Sequence, residues 1–331
     1  TLAFLLIFLP YTVFHEAISW MIQGVLWISR QSYGMLTIGH VPFLWVLLFY
    51  FMTGLWIWKK NGQNRHIRIS LAYVIMIILI WIPMARRKSL AFLDVGQGDC
   101  FVADTKSGAI IFDGGSSSED QVGRYRILPY MKYLGYQKIQ IAVISHMDID
   151  HYSGIKELLE MGKIKYLGLP EIPKDETMKK IIGIAKKRGT TIFYLSRGRQ
   201  IATKDGSLKV LHPQKNSQME KNAASLVMQG KILGYRVLLT GDVEKEGEEE
   251  LLSEELERAD ILKAAHHGSK NSTSNEFLQK VQPKQTVISC GKQNRYGHPH
   301  LETIHRLQTY HTKIYRTDRS GAIIFFQRRD G

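Results

Sequence analysis

The spacing of apolar positions changes character near residue 88. Residues 41–58, VPFLWVLLFYFMTGLWIW, carry no charge and are long enough to cross a bilayer as a helix. A second uncharged run, ISLAYVIMIILIWIPMA over 69–85, is about the shortest usable span, and Trp56, Trp58 and Trp81 fall near the ends, where aromatic belts sit. The first stretch, 1–29, is interrupted by Pro10, His15 and Glu16, which predicts a broken span or an amphipathic segment at the interface. No basic region precedes it, so it does not read as a cleavable signal. The chain starts at Thr1, as expected of a piece of something longer.

From Ser89 the texture becomes short apolar runs punctuated by Gly and polar turns. Strands are predicted at 90–95, 100–104, 109–113, 139–145, 209–212, 225–230, 235–241, 261–265 and 285–289, with KIYRT and AIIFFQ near the end. Helices are predicted over 123–134, 153–161, 175–188, 244–256, 274–281 and 300–310. Strands come first in hairpin-like pairs and then alternate with helices, which fits stacked α and β layers. The division is a membrane segment over 1–88 and a second domain over 89–331.

Charge refines the division. Forty-four Lys and Arg against 30 Asp and Glu give +14, and residues 1–88 hold eight of the basic residues against Glu16 alone. The bases at 59–68 and 86–88 anchor apolar runs and narrowly favour a cytoplasmic 59–68 loop, which puts everything after residue 88 on the extracytoplasmic side. The modest excess beyond residue 88 permits a polyanionic partner without requiring one. The two cysteines, Cys100 and Cys290, lie in apolar runs and read as buried free thiols.

The chemistry concentrates in ISHMDIDHYSG, 144–154, where His146, Asp148, Asp150 and His151 follow a strand. Two imidazoles and two carboxylates on so short a loop suit a pair of divalent ions better than one. A solvated turn with an Asp cap is the bland alternative. Three further strand ends offer ligands: LLTGD brings Asp242, AAHHGS brings His266 and His267, and NRYGHPH brings His298 and His300.

The order HxDxDHxG, LLTGD, HHGS resembles the metallo-β-lactamase fold, an αββα sandwich with metals at one edge of its two sheets. FLDVGQGDC (92–100), IFDGG (111–115), SHMDIDHYSG (145–154), VLHP (210–213), NAASLVMQ (222–229), LLTGD (238–242), LKAAHHGS (262–269) and NRYGHP (294–299) resemble more narrowly the soluble domain of ComEC, the membrane channel protein of DNA uptake. That resemblance covers essentially all of 90–330, and membrane spans upstream are also a ComEC feature.

The resemblance implies one metal position at His146 and Asp148, and a second at Asp150, His151 and one of His266 and His267, bridged by Asp242. Asp148 stands where the fold usually has a second His, and no separate His completing the first position is evident; His212, Asn222 and Ser225 are the alternatives. Oxygen-rich ligands at the first position shift preference toward Mn²⁺ or Mg²⁺ or weaken it outright, and the resemblance implies two divalent ions, Mn²⁺ or Zn²⁺. Asp150 would orient the nucleophile, and the free member of the His266/His267 pair, or His298, would carry a proton. Asp94, Asp99 and Asp113 would buttress ligands, and Ser269, Ser272 and Ser274 would hold a phosphate or cap a helix. Tyr125, Tyr130 and Tyr296 would stack bases or simply pack.

Three functions follow from the resemblance. The first is a two-metal nuclease at a DNA-uptake channel in a multi-pass membrane protein, degrading the non-transported single strand during transformation. The second is a non-catalytic module that guides DNA. The third is a hydrolase of small phosphodiesters or phosphocholine esters. None calls for a nucleotide cofactor, and the acidic run 244–257 is expected away from the substrate groove.

Overall fold

A computed structural model describes residues 39–58 and 87–328, together with isolated positions 16, 19, 20, 22, 23, 70, 71 and 74. Helix α1, Phe43–Trp58, has 16 residues within the expected 41–58 span. At 1.5 Å per residue it is about 24 Å long, shorter than the roughly 30 Å hydrocarbon layer. Among the described residues no helix is long and apolar enough to cross a membrane. The expected span at 69–85 and the segment 1–29 lie outside the described residues but for isolated positions. Just before α1, His40 N donates to Tyr133 O at 2.9 Å, which ties this stretch to the following domain.

Two seven-stranded sheets follow. The first orders β14 (Ile323–Phe326), β1 (Ser89–Phe92), β2 (Phe101–Thr105), β3 (Gly108–Phe112), β4 (Ile139–Val143), β5 (Ile164–Pro170) and β6 (Thr191–Leu195). The second orders β13 (Lys313–Arg316), β12 (Gln285–Ile288), β11 (Ile261–Lys263), β10 (Tyr235–Leu239), β9 (Val227–Ile232), β8 (Gly206–His212) and β7 (Gln200–Thr203). Each sheet is half antiparallel and half parallel: β3 to β6 run parallel in one, β10 to β13 in the other.

Alternation along the strands builds three apolar layers. On β3, Ile110 and Phe112 face the second sheet, while Ile111 faces helices α2 (Leu128–Tyr133), α3 (Ile149–Glu160) and α4 (Glu176–Lys187). On β10, Val237 and Leu239 meet the first sheet, while Leu238 packs under α5 (Lys245–Leu252), α6 (Asn275–Val281) and α7 (Leu301–Thr309). Helices outside, sheets within: this is the αββα sandwich expected. Cys100 and Cys290 are both buried and free.

Differences from the sequence reading lie at boundaries and in polar strands. Strands β5, β6 and β7 were not anticipated, because IKYLGLP, TIFYL and QIAT offer weak alternation beside stronger helical patterns. Helix α3 begins at Ile149 rather than 153, so Asp150 rides its first turn instead of a loop, together with His151.

Candidate metal centre

The candidate residues follow the carboxyl ends of neighbouring strands, the rim where open α/β sheets hold ligands. The chain leaves β3 into Asp113, β4 into His146, β10 into Asp242 and β11 into His266 and His267. Parallel pairing of Phe112 with Val143, and of Leu238 with Leu262, sets these strand ends side by side. The loops then lock onto α3. Asp99 N donates to Asp150 O at 3.0 Å and Gly114 N to His151 O at 2.8 Å. Gly115 is required there, since a β-carbon would stand 2.5 Å from His151 N and Ile149 O.

Two imidazoles, His151 and His267, turn Nε2 toward Asp242, and His146 groups with His151 and Asp242 beside them. His151 donates from Nδ1 to Asp113 Oδ2 at 2.9 Å, and Asp113 Oδ1 accepts from Ser145 N at 2.7 Å. His267 donates from Nδ1 to Ser289 O at 2.9 Å. His146 Nδ1 lies 3.0 Å from Ser145 Oγ. Each ring is thereby oriented from behind, as ligand imidazoles commonly are. Asp242 Oδ2 lies 3.1 Å from His151 Nε2, 3.4 Å from His267 Nε2 and 3.9 Å from His266 Nε2. Asp150 Oδ2 lies 3.3 Å from His267 Nε2. Among the described residues, the Nε2 atoms of His146, His151 and His267 and Asp242 Oδ1 are buried with no hydrogen-bond partner.

Buried polar atoms without partners are costly and mark a place for something else. Donor atoms of His146, His151 and Asp242, and of Asp150, His151 and His267, lie within 4.8 Å of one another. The charges say the same. Burial works to raise Asp242, yet His151 and His267 hold its carboxyl well below the usual range. Burial likewise works against a charged His151, but Asp242 and Asp113 push it well above an ordinary imidazole. The cluster demands positive charge at its centre, and its N and O donors fit a divalent cation.

Several expected roles resolve differently. His212 is buried with Nδ1 on Glu250 Oε2 at 3.0 Å and Nε2 on Ala223 O at 2.7 Å, so neither nitrogen is free to complete the first position. Ser225 Oγ accepts from Asp242 N at 3.3 Å and positions that aspartate. Asn222 lines an adjoining cavity. Asp148 sits at the N-cap of α3 without capping it; contact with His146, then Lys221, holds its pKa at about 2. Asp94 Oδ1 accepts from Gly96 N at 3.1 Å and shapes its own loop.

The three serines bond to neighbouring backbone. Ser274 caps α6 by accepting from Phe277 N at 3.2 Å, Ser272 donates to Ala265 O at 3.0 Å, and Ser269 Oγ accepts from Asn271 N at 3.3 Å. His300 Nδ1 accepts from Lys270 N at 3.1 Å. His298 lines the cavity, but burial and then His267 and His266 lower its pKa to about 4, so it is neutral at pH 7.

The pair His266 and His267 divides its duties. Both adopt left-handed backbone, φ 47° and 53°, a strained turn of the kind found at functional sites. His267 is buried among the donors. His266 is partly exposed, with Nδ1 2.7 Å from Glu244 Oε1. Glu244, the first residue of the acidic run, therefore touches the rim of the centre through His266.

Lys263 was also missed. Its buried ammonium ion-pairs with Asp99, donates to Gly241 O at 3.1 Å and lies 3.7 Å from Asp242 Oδ1. The signal was present, a lysine inside the apolar run ILKAA.

Comparison with known proteins identifies the family. "ComE operon protein 3" of Bacillus subtilis is 34% identical over 285 residues, 80% of this chain and 36% of that protein. "Competence protein ComA" of Neisseria gonorrhoeae is 30% identical over 72% of this chain and 32% of its own length. The chain spans about a third of the length of the curated relatives it matches. Among solved structures, the metallo-beta-lactamase fold protein YhfI of Bacillus subtilis has a TM-score of 0.49 and 13% identity, over 72% of this chain and 99% of its own. Residues 93–292 match the metallo-beta-lactamase superfamily, and with these relatives the chain belongs to that superfamily, in the ComEC family of competence proteins.

Proposed function

We propose that residues 89–331 form a metal-dependent phosphodiesterase acting on DNA, in a membrane protein of DNA uptake whose residues 1–88 are the membrane segment. The strand degraded would be the one not transported, on the extracytoplasmic side. The observation that carries the chemistry is the set of buried atoms with no hydrogen bond, Nε2 of His146, His151 and His267 with Asp242 Oδ1. The competence relatives favour DNA as substrate.

Asp150, His151, His267 and Asp242 would hold one divalent cation; His146, Asp148 and Asp242 offer fewer donors for a second. A cation bound there supplies an activated water at neutral pH and neutralises charge on the phosphoryl oxygens. The chain's own residues do the rest. Asp113 and the Ser289 carbonyl keep protons on the Nδ1 atoms, so the Nε2 atoms of His151 and His267 stay available as donors. Asp242 is held from three sides, by Ser225 at its backbone, Lys263 near Oδ1 and the imidazoles at Oδ2. Geometry favours His266 over His267 and His298 for proton delivery to the leaving oxygen. It is partly exposed, Glu244 accepts from its Nδ1–H, and its Nε2 faces Asp242.

The test is a metal titration. Protein stripped by chelation, then supplied with Mn²⁺ or Zn²⁺, is expected to cut an end-labelled single strand, and chelator is expected to stop it. DNA binding without cleavage under either metal would select the non-catalytic guiding role instead.

A further inference from the structure

The cavity at the metal centre, about 460 Å³, is lined by the carboxylates Asp148, Asp150 and Asp242. A phosphodiester carries negative charge, so entry needs a cationic contact in addition to whatever the donors bind. Among the residues lining this cavity, Lys221 is the only lysine or arginine. Its Nζ lies 3.2 Å from Asp148 Oδ1 and 3.9 Å from Asp175 Oδ2, and its side chain is 55% exposed.

Lys221 belongs to the connection between β8 and β9 and also lines the adjoining cavity of about 590 Å³, where Glu220, Glu244 and Glu246 stand. Lys221 therefore stands where the two spaces meet, and beyond it three glutamates outnumber the one further cation, Lys245. On the other side the cavity is bordered by Tyr296, Gln97 and Ser117. We propose that Lys221 is a phosphate-binding residue of this site, its ammonium exchanging Asp148 for a non-bridging phosphate oxygen when substrate arrives. The inference rests on the phosphodiesterase reading and names the residue that meets the anion.

The exchange is physically easy. An exposed lysine–carboxylate pair is weak. The compact ammonium on a four-carbon stem can move between neighbouring anions without rearranging the backbone. Asp148 thus parks the lysine at the mouth, beside the oxygen donors.

The experiment measures binding of a phosphorothioate single strand to the full chain by fluorescence anisotropy across a KCl series, for wild type, Lys221→Gln and Lys221→Arg. A lost phosphate contact lowers the slope of log affinity against log salt by about 0.7 for a single strand. Lys221→Gln is expected to show that drop and Lys221→Arg to keep the wild-type slope. An unchanged slope in Lys221→Gln overturns the assignment, because a lysine that only braces Asp148 contributes no phosphate contact.

If wild type binds no DNA, the nucleic-acid reading falls first, and bis(p-nitrophenyl) phosphate decides the role of Lys221. A raised KM with kcat retained in Lys221→Gln supports the contact, and an unchanged KM removes it.

Discussion

At the scale of residues, the centre is a charge problem solved in layers. Imidazoles and carboxylates converge, and behind them sit groups that fix their orientation: Asp113 behind His151, Ser289 behind His267, and Lys263 behind Asp242. Lys263 and Asp99 form a fully buried ion pair, with Asp99 also 3.5 Å from His267 Nδ1. Breaking a buried pair from one side leaves an uncompensated charge and costs about 3–5 kcal/mol. Lys263→Met is therefore expected to lower unfolding stability by about that amount in urea titration. A loss below about 1 kcal/mol would show that the pair is not structural in this sense.

The ligands were legible because His and Asp crowd into short motifs after apolar runs. Their supports were not. A lysine in ILKAA reads as part of a strand face, and Glu244 reads as the start of a solvated helix, until the fold shows what each touches.

At the scale of elements, alternation and helical spacing located the strands that flank the site, because one buried face each is enough to specify them. Helix α3 is the informative exception. Its first turn, IDHY, contains two chemical residues where apolar ones normally announce a helix, so the predicted start fell at 153 instead of 149. The first position likewise lacked a visible third ligand, and the fold confirms that His212 is engaged elsewhere.

Element packing also creates a pH response away from the metal donors. Glu248 of α5 is buried against the start of α6, accepting from Ser274 N at 3.1 Å, and burial pushes its pKa from 4.5 to about 7. Between those values the unfolded chain has lost the proton and the folded chain keeps it. Stability from this group therefore falls as pH rises through that window, by up to about 1.4 kcal/mol per pH unit. Glu248→Gln is expected to remove that component, so the difference between variant and wild type in urea unfolding grows from pH 5 to 7. A constant difference would place the Glu248 carboxyl at its ordinary value.

At the scale of the molecule, the sandwich brings residues 99, 113, 146, 150, 151, 242 and 267 from five separate segments to one rim. The modest basic excess beyond residue 88 permits a polyanionic partner, while the cavity itself counts three carboxylates and three histidines in its lining. Asp242 is the point on which both proposed metal positions would depend, since it groups with His146 and His151 on one side and its Oδ2 faces His151 and His267 on the other. The most direct test compares single-strand cleavage by wild type and Asp242→Ala at saturating Mn²⁺. Removal of groups that merely orient a ligand costs about 10–100-fold, so losing the shared ligand itself is expected to cost more than about a hundredfold. Cleavage by Asp242→Ala at the wild-type rate would contradict a phosphodiesterase built on this centre.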